Sequence, residues 1–214
     1  MDFKIELKGL EETKKILNVK QYQKAVTFSL NRVIKSGRTE ASEQIRKGEK
    51  PFTLSKSDVD RKMNVRLPNP YEAVLKITSE PWILSYFKPR QIIGGIKSAI
   101  KRTKKKGFEL IKGTGRKNSG GVSIEIVKGR RVTLKHAFIV TGKGGTPLVF
   151  WRKKGDKSSI TGKDKLVALK VYSLPSMFKK PAVIGKVIDK IKTQWEKEIT
   201  SAINRITSGK WNAD

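Results

Sequence analysis

The chain has no cysteine, one histidine and only 19 acidic residues in 214. Without cysteine there are no disulfides, thiolate zinc sites or cysteine nucleophiles, which fits a reducing cytoplasm. The single histidine, His136, stands in a strand-like stretch beside Ala137 and Phe138, where a core or edge residue is expected sooner than a general base. Carboxylates are too scarce and scattered for a metal-dependent nuclease. Glu109 and Glu125 both lie among lysines, and Glu125 with Lys128 is only a weak echo of a nuclease pair. A phosphate-binding loop is missing too, because Gly115 to Gly120 is followed by Gly121 instead of lysine. No run approaches the roughly 20 apolar residues of a spanning helix, and the opening MDFKIELKGL lacks the apolar stretch of a secretion signal. Zinc-finger, ribonucleoprotein-aromatic and helix-turn-helix patterns are likewise absent, so a reader of base sequence is not expected. These absences predict no catalytic residues, metal, cofactor, small-molecule substrate or membrane partner.

What the chain has in excess is positive charge. Its 48 Lys and Arg give a formal net charge of +29, against a magnitude of roughly 2 to 8 in an ordinary small soluble domain. Crowded like charges repel, so such a fold is most readily tolerated beside a negatively charged partner. The bias is concentrated: residues 97–135 hold thirteen Lys or Arg against two acids, a net of +11. The candidate phosphate contacts are Lys101, Arg102, Lys104, Lys105 and Lys106, then Arg116 and Lys117 in a glycine-rich loop, and Arg130 and Arg131 at a hairpin turn. Long cationic side chains on loops and strand ends can follow a phosphate backbone without reading bases. An acidic protein surface would suit the same side chains.

Periodicity predicts an α+β fold: two long amphipathic helices packed on a mainly antiparallel sheet with long basic loops. Phe3, Ile5 and Leu7 alternate with polar residues as in a strand, and a short helix follows from Gly9 to about Val19. Between Lys20 and Arg46, the residues Tyr22, Val26, Leu30, Val33, Gly37, Ala41 and Ile45 form one apolar stripe, with Gly48 and Pro51 as stop signals. A short helix is expected from Ser55, as cap, to Met63. Strands are expected at 63–67, 72–78, 107–112, 122–127, 131–140 and 166–174, with a hairpin through Lys128-Gly129-Arg130. The stretches 112–121 and 141–147 read as loops. The closing helix has the stripe Ile184, Ile188, Ile191, Trp195, Ile199, Ala202 and Ile206. One domain over 1–214 is the simplest organisation, with a helical part at 9–63, a sheet part at 63–174 and a C-terminal helix at 181–208. Trp195 is read as core. Trp151, flanked by Arg152, Lys153 and Lys154, suits base stacking, a subunit contact or burial alike, and the strip Trp82 to Phe87 suits the core or a subunit contact.

Several short pieces, spread over most of the chain, resemble the minor tail protein Z family of long-tailed bacteriophages and prophages, in the tail-completion group. Leu30-Asn31-Arg32-Val33 resembles that family's A-x-N-R-V helix, with Ser29 where the pattern has alanine. Thr53-Leu54 with Asp58-Val59-Asp60-Arg61-Lys62 is similar to its basic segment, and Ala73 to Ile77 to one of its strands. Leu84, Phe87 and Pro89-Arg90-Gln91 resemble its L-x-x-F-x-P-R-Q turn. Val132 with Ala137-Phe138-Ile139, Val149-Phe150 with Arg152, and Leu174-Pro175-Ser176-Met177 complete the layout. The resemblance implies a structural virion protein that forms a ring at the head-proximal end of the tail, assembles in the host cytoplasm and prepares the tail for joining to the head. Its implied partners are other tail and neck proteins and further copies of itself, with packaged DNA met non-specifically. The Lys101–Lys106 run and the long 141–165 connection depart from the family pattern. The competing expectation is a basic nucleic-acid-binding protein free in the cytoplasm.

Overall fold

The computed structural model describes residues 17–93, 96–103, 107–111, 119–141, 145–159 and 161–210, with side chains outside 93–120. The expected first strand and most of the short helix after it lie outside these residues. The fold is α+β, with a long helix near each end of the chain and antiparallel pairing in every sheet. By contact it divides into two compact units, one of residues 1–49, 55–79 and 174–214, the other of 50–54 and 80–173.

In the first unit, α1 (Val19–Lys47) begins at a capping box. The Asn18 side chain accepts the Gln21 N–H, and Gln21 Oε1 accepts the Asn18 N–H, which satisfies two donors that a helix start leaves open. The whole predicted stripe from Tyr22 to Ile45 is buried. α2 (Lys56–Arg61) starts at Ser55, whose Oγ accepts the Asp58 N–H, and Arg38 Nη2 ties it to α1 by donating to Asp60 O at 2.7 Å. The hairpin β1 (Met63–Asn69) and β2 (Glu72–Ile77) lies against α1, and Thr27 Oγ1 donates to Pro70 O in its turn. A short helix, α3 (Leu174–Phe178), then leads into α4 (Pro181–Thr207), which packs along α1.

The face of α4 differs from the expected one in its first turns, where Val183 and Val187 are buried and Ile184 and Ile188 only half-buried. Both candidate stripes there are β-branched and apolar, so periodicity could not choose between them. The partner helix does: Gly37 lets α4 come close enough that a Cβ there would meet the Ile191 side chain at 2.8 Å and Val187 at 3.9 Å. Farther along, Trp195, Ile199, Ala202 and Ile206 are buried as expected. Glu198 joins them, held by Arg32 Nη1 at 3.0 Å and by Gln194 Nε2 at 2.8 Å.

The second unit holds three sheets. The largest has the order β6-β5-β4-β7-β8, formed by β4 (Arg90–Ile93), β5 (Ile96–Thr103), β6 (Gly107–Ile111), β7 (Ser119–Val127) and β8 (Arg130–Leu134). The hairpin through Lys128-Gly129-Arg130 is as expected. A three-stranded sheet has the order β11-β10-β9, from β9 (Phe138–Thr141), β10 (Pro147–Lys157) and β11 (Asp164–Ala168), and β3 (Pro81–Ile83) pairs with β12 (Lys170–Ser173). Two runs read as single strands are therefore broken. At Lys135-His136 the chain turns, with His136 at φ 63, and passes from the β7 partner to the β10 partner, so His136 is an exposed turn residue instead of a strand residue. At Leu169 it changes sheets, donating to Val149 O and accepting from the Leu84 N–H. The core gathers Phe52, Leu54, Trp82, Leu84, Phe87, Val122, Ile124, Ala137, Ile139 and Val149, so the Trp82–Phe87 strip is interior.

Gly121, at φ +101, is the tightest point: a Cβ there would stand 2.3 Å from Leu134 O. Gly121→Ala is expected to lower the stability of the second unit by about 2 kcal/mol or more, from left-handed backbone strain and the clash together. Urea unfolding followed at the buried Trp82 would measure it, and an unchanged midpoint would contradict the assigned geometry. For the helix pair, Trp195→Ala is expected to cost about 3 to 5 kcal/mol.

Candidate nucleic-acid interface

The five-stranded sheet has two chemically different faces because β7 alternates from Val122 to Glu125. Val122 and Ile124 are buried, while Ser123 and Glu125 point the other way and are half-buried. Register sets Arg90 and Thr133 on either side of Ser123. The polar face thus collects Arg90, Ser123, Glu125, Arg131 and Thr133, with Lys88 beside them at the start of β4. On the opposite face Gln91, 7% exposed, accepts the Ile139 N–H at 2.8 Å and anchors β9.

Glu125 organises this polar face. Its Oε1 accepts the Gly129 N–H at 3.0 Å, and its Oε2 lies 3.4 Å from Arg131 Nη1 and 3.8 Å from Lys88 Nζ. This accounts for Glu125 as a structural carboxylate. Arg131 does more than pair with it: Nε donates to Ser123 Oγ at 2.9 Å, and Nη2 to Ser123 O at 2.8 Å and Lys88 O at 3.0 Å. Lys88 presents that carbonyl from a left-handed backbone at φ 45. Partial burial, and then the neighbouring Arg90 charge, lower the Arg131 pKa from its ordinary value, against the opposing pull of Glu125; an arginine so placed stays charged. Two cations, Arg131 and Lys88, therefore flank one carboxylate, and Arg90 is exposed nearby, close enough for its charge to act on Arg131.

The sequence-predicted contacts fall in different places. Arg130 is exposed at the β7–β8 turn, whereas Arg131 has its donors engaged within the sheet. Lys101 and Arg102 lie on β5, in register with Glu109 and Phe108, where a loop or strand end was expected. Ala99 and Ser123 both oppose Arg90 across β4, so β5 and β7 run the same way and end on the same side of the sheet. The Lys101–Arg102 end of β5 is thereby brought to the side that carries Lys88, Lys128, Arg130 and Arg131. Lys104, Lys105 and Lys106, which follow β5 in sequence, lie outside the described residues, as do Arg116 and Lys117, which precede β7 in sequence. Sequence reasoning missed Lys88 and Arg90. The signal was the alternation in Pro89-Arg90-Gln91, where Pro89 and Gln91 are buried and Arg90 is exposed.

Among the described residues no group of three or more His, Cys, Asp or Glu is placed to hold a metal ion, and no helix is long and apolar enough to cross a membrane. The two arginines should separate experimentally. Arg131→Ala is expected to destabilise the sheet by about 1 to 3 kcal/mol, since it strips several hydrogen bonds from partly buried acceptors. Arg90→Ala is expected to stay within about 0.5 kcal/mol of wild type; thermal unfolding of both variants would reveal an inverted order.

A family model described as prophage minor tail protein Z matches residues 7–207. No curated protein and no solved structure is significantly similar to the chain.

Proposed function

Since the chain belongs to the prophage minor tail protein Z family, and is thereby a structural protein of the phage virion tail that works among other tail proteins, we propose that it completes the head-proximal end of the tail, self-associates there in a ring and meets packaged DNA without reading its sequence. The role is structural and not catalytic. The observation that carries the DNA part is the basic end of the five-stranded sheet, where Lys88, Arg90, Lys128 and Arg130 are exposed beside the end of β5 that leads into Lys104–Lys106. Glu125, the carboxylate beside these cations, is already committed to Arg131, Lys88 and Gly129. A phosphate approaching this end meets a surplus of cations over carboxylates, with Glu125 held by Arg131 and Lys88 and Glu109 opposite Lys101 in register.

A polar, cationic surface with few apolar side chains suits a phosphate backbone better than a protein core contact, and each neutralised phosphate releases condensed counterions. Repetition around a ring would multiply such contacts, because one bound subunit holds its neighbours near the same duplex. Membership of a tail protein family and this basic surface together support a role in joining head and tail. A ring at the mouth of a tube entered by DNA needs polyanion affinity that does not depend on sequence.

Two measurements test the reading. Electron microscopy of particles carrying a tag on this protein should show label at the head-proximal end of the tail; label elsewhere, or none, would sink the location. Binding to duplex DNA should weaken with salt along a log–log slope of about −5, if about six phosphates are neutralised per subunit at roughly −0.9 each. Replacing Lys104, Lys105 and Lys106 with alanine should flatten that slope by about two to three. Tight, saturable binding by a persistent monomer would instead favour the free cytoplasmic protein.

A further inference from the structure

The ribbon formed by β10 and β11 runs beyond the core of its unit. On β10, Val149 is 1% exposed, yet Trp151, two residues on and on the same face, is 46% exposed. Its cross-strand partner Val167 is 39% exposed; Leu166, opposite Arg152 on the other face, is 46% exposed. Isolated exposed apolar residues are ordinary, but here three lie on two adjoining rungs, Trp151 with Val167 on one face and Leu166 on the other. β11 is also the outer strand of its sheet, and among the described residues nothing pairs with its far edge. A body docked flat on one face would leave the apolar side chains of the other face in water. A strand laid along β11 would flank Leu166 on one face and Val167 with Trp151 on the other.

Charge narrows the occupant. Between Trp151 and Lys170 stand Arg152, Lys153, Lys154, Lys157, Lys163, Lys165 and Lys170 against Asp156 and Asp164. Lys165 Nζ at 2.8 Å and Lys153 Nζ at 3.2 Å occupy Asp156 and hold its carboxyl below the ordinary carboxylate range. Asp164 accepts the Gly155 N–H. A second copy pairing at this edge would bring the same surplus of cations against it, and lysines on edge strands are a recognised guard against such pairing. Duplex DNA would neutralise the lysines but offers no apolar groups for Leu166 and Val167.

We propose that the β11 edge accepts an acidic β-strand from another tail protein, paired through main-chain hydrogen bonds with apolar residues against Trp151, Leu166 and Val167 and carboxylates against the flanking lysines. The identification of the donor as a tail protein rests on the family reading; the strand chemistry does not. This surface is separate from the polar face of the five-stranded sheet, so the two should be occupied independently.

The test uses the purified full chain and a short synthetic peptide alternating Glu with Val, compared with poly-glutamate and duplex DNA. The peptide should bind saturably, and Trp151→Ala and Leu166→Ser, both at exposed positions, should each weaken it about tenfold or more while leaving DNA affinity and far-ultraviolet circular dichroism unchanged. Poly-glutamate, lacking apolar side chains, should bind all variants alike. The proposal is overturned if the peptide does not bind, if the substitutions leave its affinity unchanged, or if they weaken DNA equally, which would place the ribbon in the nucleic-acid surface. Loss of self-association in Leu166→Ser would overturn it in favour of a second copy. Because these readouts need no particles, absence of the protein from tails would refute the tail role and leave the strand site standing.

Discussion

Repulsion among 48 cations that share 19 carboxylates is the constraint to which the rest of the structure answers. Carboxylates are the scarce component, and the fold spends them where a cation or a backbone donor must be held. Glu198 sits under Arg32 between the long helices, Asp58 beside Arg61 at the start of α2, Glu125 among Arg131 and Lys88, and Asp156 between Lys153 and Lys165. Exposed pairs of this kind stabilise by about 0 to 1 kcal/mol each. Asp58, 1% exposed, and Glu198, 8% exposed, are different, because each would be a costly buried charge without its partners, Ser55 and Arg61 for the first and Arg32 and Gln194 for the second. With 48 cations to 19 carboxylates, most positive charge is left over, and it defines the outer chemistry of the chain.

Much of this was legible from residue pattern. α1 was readable because its stripe is apolar on one side only, and α2 because Ser55 caps it in the usual way. The hairpin at Gly129 could be read because β7 alternates. Three things were hidden. The first turns of α4 offer two apolar faces, and only the close approach at Gly37 decides between them. The strand breaks at His136 and Leu169 arise where the chain changes sheets, which is a tertiary event without a local signature. Trp82 and Trp151 each suit burial or a subunit contact in sequence, yet one lies in the core and the other beyond its edge.

The basic zone was legible as composition but not as geometry. A run such as Lys101-Arg102 invites description as a loop, while the backbone continues the β5 ladder through it. Nor does sequence distinguish a cation that is available from one that is committed. Alternation along β4 and β7, with the register between them, sorts Arg90 into the first class and Arg131 into the second, while Lys88 stands between the two, exposed but 3.8 Å from Glu125. Within the same unit, the polar sheet face and the half-apolar β10–β11 ribbon are both cationic, and their apolar content is what separates the partners each can satisfy.

The neighbours Arg130 and Arg131 carry equal charge and meet unequal structural demands. At the hairpin tip an ammonium would serve as well as a guanidinium, so descendants of this gene can drift between arginine and lysine there with little penalty. One residue later, a single planar fork reaches Ser123, Glu125 and the Lys88 carbonyl at once, a reach that the single-point lysine head lacks. Codon change should therefore be free at the first position and arrested at the second.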